Sequence, residues 1–200
     1  MALLLFACCP AQRPDKLPAD AYPGTLRAPA DLGPDIMWRQ KVTAQWGKSE
    51  SRSFEAVLQK QGDKLTLLGL NPMGQMGFAI TLHNGVIDFQ NKAGMALPFP
   101  PRFILLDVQR AFWPWLGAKP AADGERTGEA PGERVVETWS NGRLQRRTFQ
   151  RADDKPPGSI VISYSGYETG QLAPKKAVLD NRWFGYVLTV ETYEQQTLTE

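Results

Sequence analysis

The sequence predicts a mainly β protein with minor α content, an antiparallel sheet of about ten strands accompanied by one helix. Three observations carry this. The 200 residues include 16 Pro, 18 Gly, nine Phe, six Trp and five Tyr, a mixture suited to strands and turns rather than to a helical bundle. Segments of period-2 hydrophobicity recur along most of the chain. Most of the links between them are too short for a parallel crossover, which needs a dozen or more residues. A chain of this length is expected to form one domain around one core.

The elements follow in order. Trp38, Gln40, Val42, Ala44 and Trp46, then Phe54, Ala56 and Leu58, share one face of two strands, with Arg39, Lys41, Glu55 and Gln59 on the other. Lys64 to Leu70 forms a more apolar strand. Asn71-Pro72-Met73-Gly74 is a turn, and Met76, Phe78, Ile80 and Leu82 alternate beyond it. His83-Asn84-Gly85 brings in a tight hairpin, because Asn-Gly tolerates the positive φ angles it needs, and Val86 to Gln90 returns. Pro98, Pro100 and Pro101 then precede a run in which Ile104, Leu105, Val108, Ala111 and Phe112 fall at helical spacing. This predicts a helix over 102–112, started by proline and ended at Pro114. Residues 118–132 are small, polar and Gly/Pro-rich and are expected to be a loop. Strands resume over 134–139, turn at Asn141-Gly142, return over 144–150, and continue over 159–165, 177–180 and 186–193.

Ahead of the first strand, Leu5-Phe6-Ala7-Cys8 closes an apolar stretch and looks like the lipobox at which bacterial lipoprotein signals are cut and the new terminal cysteine is acylated. Cys8 is the expected lipidation site. The stretch falls far short of the roughly 20 residues that span a bilayer. Pro10, Pro14, Pro18, Pro23, Pro29 and Pro34 follow, so residues 9–35 are expected to form an extended tether.

Catalytic chemistry finds little support. The single histidine, His83, sits in a hairpin turn with no partner signal nearby. The two cysteines, Cys8 and Cys9, exclude a disulfide framework, and with one histidine they make a poor metal site. No metal and no cofactor are expected. Gly69 to Gly74 has phosphate-loop spacing, yet Gln75-Met76 follows where Lys and Ser or Thr are needed. The balance of 23 basic to 21 acidic residues leaves no footprint for nucleic acid. Arg143, Arg146, Arg147 and Arg151 cluster locally; alternation sends Arg146 to one face and the others to the opposite one, which reads as a solvated or edge-protecting strand. Asp153-Asp154 reads as a solvated loop. Trp113, Trp115, Met73, Met76 and Met95 near turns and the helix end suit an adaptable apolar surface or cavity, or else ordinary packing.

Two resemblances sharpen this. Leu65 to Gly74, the hairpin with Asn84-Gly85, and Val161 to Thr169 resemble the outer-membrane lipoprotein receptor of the bacterial lipoprotein-localisation (Lol) system. Phe103 to Gln109, Trp113-Pro114 and Gly185 to Val190 resemble a lipoprotein family often encoded in aryl polyene biosynthesis clusters. The resemblance implies a LolA/LolB-like half-barrel, an open, curved antiparallel sheet covered by a helix, with an apolar cavity for acyl chains. It implies a signal remnant over 1–8, the tether over 9–35 and a lipid-binding domain over 36–200, anchored to the outer membrane and facing the periplasm. Phe103, Leu106, Phe112 and Trp113 become the expected cavity or lid residues. Met73 becomes the membrane-contact tip, since the receptor family holds an exposed apolar residue on a protruding loop there. The implied partners are a lipid or acylated lipoprotein, a periplasmic Lol-type carrier, and the membrane through the lipid anchor. The expected function is non-enzymatic: binding acyl chains and receiving or transferring lipoproteins or a polyene-type lipid. An assembly scaffold for envelope lipid-biosynthesis enzymes, binding no lipid, is the alternative.

Overall fold

The computed structural model describes residues 22–47, 50–92, 97, 99–117, 122–152 and 158–198. Eleven strands form one sheet: β1 (Ile36–Trp46), β2 (Glu50–Gln61), β3 (Lys64–Leu70), β4 (Met76–His83), β5 (Val86–Asn91), β6 (Gly124–Ala130), β7 (Glu133–Ser140), β8 (Arg143–Arg151), β9 (Ser159–Ser165), β10 (Lys176–Asn181) and β11 (Tyr186–Thr197). Every pairing is antiparallel, in the order β5-β4-β3-β2-β1-β11-β10-β9-β8-β7-β6. The sheet is an open, curved half-barrel of the LolA type, as the sequence resemblance implies. Two meanders, β1 to β5 and β6 to β11, meet where β1 pairs with β11. The connection between the edge strands β5 and β6 carries the one α-helix among the described residues, α1 (Pro101–Phe112).

Local chemistry sets these elements. In β1, Ile36, Trp38, Gln40, Val42 and Ala44 are buried, the alternation expected of a strand with one face on the core. Asn84 (φ 50°) and Gly85 (φ 74°) make the β4–β5 turn, and Asn141 (φ 51°) and Gly142 (φ 64°) the β7–β8 turn, the two left-handed residues a tight hairpin requires. Pro101 opens α1 at a position whose N–H has no helical partner to lose. The helix ends at Trp113, whose N–H still reaches the Gln109 carbonyl before the chain turns extended.

Three expectations are corrected. The segment from Gly124 to Ala130 is a strand rather than a loop: β6 pairs along its length with β7. As an edge strand it needs only backbone hydrogen bonds on one side, and its exposed Glu125 and Glu129 protect the free edge. The tether expected over 9–35 does not extend through that whole range. Tyr22 is buried, Leu32 closes a short 3-10 turn (Pro29–Leu32) against the core, and Asp35 pairs with Lys60 at 2.6 Å. Residues 22–35 therefore belong to the domain, and those before Tyr22, Cys8 included, lie outside the described residues. Finally, the strand of arginines is not uniformly solvated. A bulge puts Trp139 opposite Leu144 but Thr138 opposite Arg146, so Gln145 is an extra residue that shifts the phase. Leu144, Arg147 and Phe149 are all buried as a result, while Arg146 remains exposed.

Candidate functional site

α1 lies on the inner face of the sheet and separates two apolar clusters. Phe103, Leu106 and Ala111 pack with Val135, Phe149, Ile160, Ile162, Leu179 and Tyr186 on the β7–β11 side. Leu105 and Trp113 pack with Trp38, Val42, Leu58, Leu65, Leu67 and Ile80 on the β1–β4 side. Of the expected lid residues, Phe103 and Leu106 are fully buried in the first cluster and Trp113 is buried in the second. Phe112 is half-buried and touches both. Its ring meets Trp38 edge-on at 5.5 Å, and Trp113 stacks on Trp38 at 6.1 Å. The four are thus gathered around one helix, on two sides of it. Met73 lies apart at the β3–β4 tip, 78% exposed. Asn71 Oδ1 accepts from the N–H groups of Met73 and Gln75, and Gly74 takes a φ of 75°, so the turn is tied from below while its apolar apex faces solvent. Met95 lies outside the described residues. Trp115 is held by its ring N–H on the Gln109 carbonyl and by Phe149 at 5.3 Å, far from forming a shared surface with Met73.

The helix is fastened by charge as well as by apolar contact. The Asp107 carboxylate accepts hydrogen bonds from the Tyr22 and Tyr186 hydroxyls, and Asn181 Nδ2 donates to both hydroxyl oxygens at 2.7 and 2.9 Å. Arg110, wholly buried, reaches Glu133 at 2.7 Å, Asp107 at 3.4 Å and the Pro23 carbonyl at 2.5 Å, with its guanidinium over the Tyr22 ring. Burial pushes the Asp107 and Glu133 carboxyls up despite the Arg110 charge, and it pushes the Tyr22 hydroxyl well up with the Asp107 carboxylate adding to the effect. One guanidinium here serves two sealed carboxyls.

A second knot lies at the carboxyl end of α1. Arg147 donates to Glu137 from two nitrogens, both at 2.8 Å, and from a third to the carbonyls of Arg110 (2.6 Å) and Trp113 (2.9 Å). It thereby satisfies carbonyls that the end of a helix leaves without partners. Arg126 and the Trp139 ring N–H complete the Glu137 carboxylate. Burial acts to raise the Glu137 carboxyl, but Arg147 and the donors around it outweigh that and hold it below its usual value. Sequence reading missed both knots. The available signal was Asp107 and Arg110 three residues apart in a helix whose other residues, Arg102 and Gln109 aside, are apolar.

Beside this knot a cavity of about 380 Å³ opens, bounded by the end of α1, the β7–β8 turn and the chain from Tyr164 to Pro174. A shallower one of about 430 Å³ lies between Pro23–Thr25 and the β6–β7 turn. Among the described residues, no group of three or more His, Cys, Asp or Glu side chains is placed to hold a metal ion. His83 lies 3.0 Å from Asp63, both exposed.

This geometry defines a half-barrel with a helix laid across its concave face. Residues 37–194 match the model of the family described as a protein of unknown function, DUF3261, and the chain belongs to that family. Its fold is similar to that of a LolA superfamily protein from Nitrosomonas europaea, with a TM-score of 0.51 at 10% identity over 84% of this chain and 87% of that one. It is also similar to a putative outer membrane lipoprotein-sorting protein domain from Vibrio parahaemolyticus, with a TM-score of 0.50 at 13% identity over 85% and 88%. Comparison with curated proteins gave no match.

Proposed function

We propose that this chain is a binding protein of the bacterial envelope, lipid-anchored through Cys8 at the outer membrane, that holds an acyl chain on the inner face of its sheet and passes it on. The observation that carries the reading is the inner face itself. Two apolar clusters flank a single 12-residue helix, and the face is open at the carboxyl end of that helix, where the 380 Å³ cavity lies. Concave, mostly apolar sites with a few placed polar groups are the usual form of small-molecule binding sites. The names of the structural neighbours, a LolA superfamily protein and a lipoprotein-sorting domain, point the same way. In this reading Phe103, Leu106, Phe112 and Trp113 line the path of the chain, and Met73 is the tip that meets the membrane. The cargo is an acylated lipoprotein or a free lipid, polyene-type lipids included, and a periplasmic carrier is the partner in exchange. The chemistry is binding and release, with no covalent step.

Native mass spectrometry of protein extracted from its own membrane, followed by titration with a fluorescent fatty-acid analogue, tests this. Co-purified lipid and saturable binding are expected. Bare protein that also fails to bind the analogue overturns the reading. It would leave the alternative, an assembly scaffold, which the charged fastening of α1 favours because a helix held by the Arg110–Glu133 pair and by Arg147 on the Arg110 and Trp113 carbonyls resists displacement.

A further inference from the structure

The cavity at the carboxyl end of α1 has a polarity that distinguishes among lipids. Its walls include Trp113, Trp139, Leu144, Tyr164 and Tyr167, so most of what it offers is apolar or aromatic surface. Leu172 stands at the rim and is 55% exposed, one of five large hydrophobic side chains among the described residues that face solvent. Exposed apolar side chains at a cavity mouth are what an entering hydrocarbon would cover.

Three guanidinium groups also line the cavity, and their commitments differ. Arg147 and Arg126 both bind Glu137, at 2.8 and 2.7 Å, and Arg147 is further engaged by the helix carbonyls. Arg143 is half-buried and stacks over the Tyr167 ring at 5.0 Å, with no carboxylate among the described residues at ion-pairing distance. The Tyr167 hydroxyl donates to the Leu144 carbonyl at 2.7 Å, which fixes the ring beneath the guanidinium. Arg143 is therefore positioned by an aromatic face, which leaves its N–H donors for an anion. The negative end of the α1 dipole points this way and would repel such an anion, but the Arg147 guanidinium places a positive charge there, on the Arg110 and Trp113 carbonyls, and the Trp115 ring N–H caps that of Gln109.

We propose that this cavity binds a single-chain anionic amphiphile, with the charged end on Arg143 and the hydrocarbon chain against the aromatic wall. The inference rests on the acyl-binding reading above and names the class of lipid. Size supports one chain over several: 380 Å³ lies near the lower end of the roughly 300–1,000 Å³ of small-molecule sites.

Equilibrium binding of dodecanoate and of dodecanol, both below their aggregation limits, tests it on the full chain. Wild type should prefer dodecanoate by about tenfold or more, the size expected of a hydrogen bond between charged groups. Arg143→Gln should abolish that preference by weakening dodecanoate binding more than dodecanol binding. Leu172→Glu, at an exposed position where folding is not at stake, should weaken dodecanoate binding more than dodecanol binding. Equal affinity for the two probes in wild type, a preference that survives Arg143→Gln, or a Leu172→Glu variant that treats both probes as wild type does, would each overturn the assignment and leave acyl binding intact. If neither probe binds and no lipid co-purifies, the broader reading falls with it.

Discussion

Replacing Arg147 by methionine removes the cation that joins α1 to the sheet while roughly keeping the volume of the side chain. In the folded protein this leaves Glu137, which is fully buried, with Arg126 as its one remaining cation, and strands the Arg110 and Trp113 carbonyls. Breaking a buried pair by deleting one partner costs about 3–5 kcal/mol. For a domain of this size each kcal/mol lowers Tm by about 2–4 °C, so the expected fall is about 6–20 °C at pH 7. The double variant Arg147→Met/Glu137→Leu should recover part of that loss, because it also removes the poorly compensated charge. The sign of the pH response is fixed as well. With its carboxyl held low by Arg147, Glu137 contributes stability that is present above the unfolded carboxylate value of about 4.3 and is lost as pH falls through its lower folded value. In Arg147→Met the acid loss should begin at higher pH than in wild type. Thermal melts followed by circular dichroism between pH 3 and 7 would check both. An Arg147→Met protein that melts within about 2 °C of wild type would refute the claim that Arg147 fastens the helix, and a double variant no better than the single one would refute the claim that Arg147 compensates the buried Glu137 charge.

Three further outcomes are expected. Gly69→Ala would place a Cβ 2.0 Å from the buried Phe78 ring, and should cost about 1–3 kcal/mol in a urea titration. Met73→Glu should melt within about 2 °C of wild type, because the side chain is 78% exposed, yet should slow transfer of bound lipid to liposomes; early melting would show the tip to be core. Cys8→Ser should release the protein from the membrane fraction and abolish incorporation of labelled fatty acid.

What the sequence disclosed and what it withheld divide along a physical line. Strands with one buried face announce themselves by period 2, and the burial of Ile36, Trp38, Gln40, Val42 and Ala44 follows that pattern even through a polar Gln. Turns that demand positive φ announce themselves by Asn-Gly at 84–85 and 141–142. The strand Gly124–Ala130 left no such trace, because an edge strand with neither face deeply buried needs no apolar alternation. The bulge at Gln145 was equally silent and shifted which residues of the arginine strand turn inward. The charged fastening of α1 was hidden for a different reason. Asp107, Arg110, Glu133, Glu137 and Arg147 each look like surface residues alone, and only the tertiary fold brings them together across 10 to 37 residues of chain. At the candidate site, the helix and its aromatic end were readable, as was the apolar tip at Met73. The cavity and the position of Arg143 over Tyr167 were not, since they depend on the packing of three separate segments.

The pairing of β1 with β11 has a consequence for how the protein is made. The centre of the sheet is built from the two ends of the domain, joined for example by the Gln40 to Thr192 hydrogen bond across 152 residues of sequence. During synthesis β1 to β5 can assemble from neighbours as soon as they emerge, but β1 then presents an unpaired edge until the last strand is complete. Such an edge is a template for pairing with other chains, and contacts so distant in sequence form slowly. A nascent chain is thus exposed to aggregation for most of its synthesis, and losing even a few residues of β11 would open the middle of the sheet rather than fray its margin.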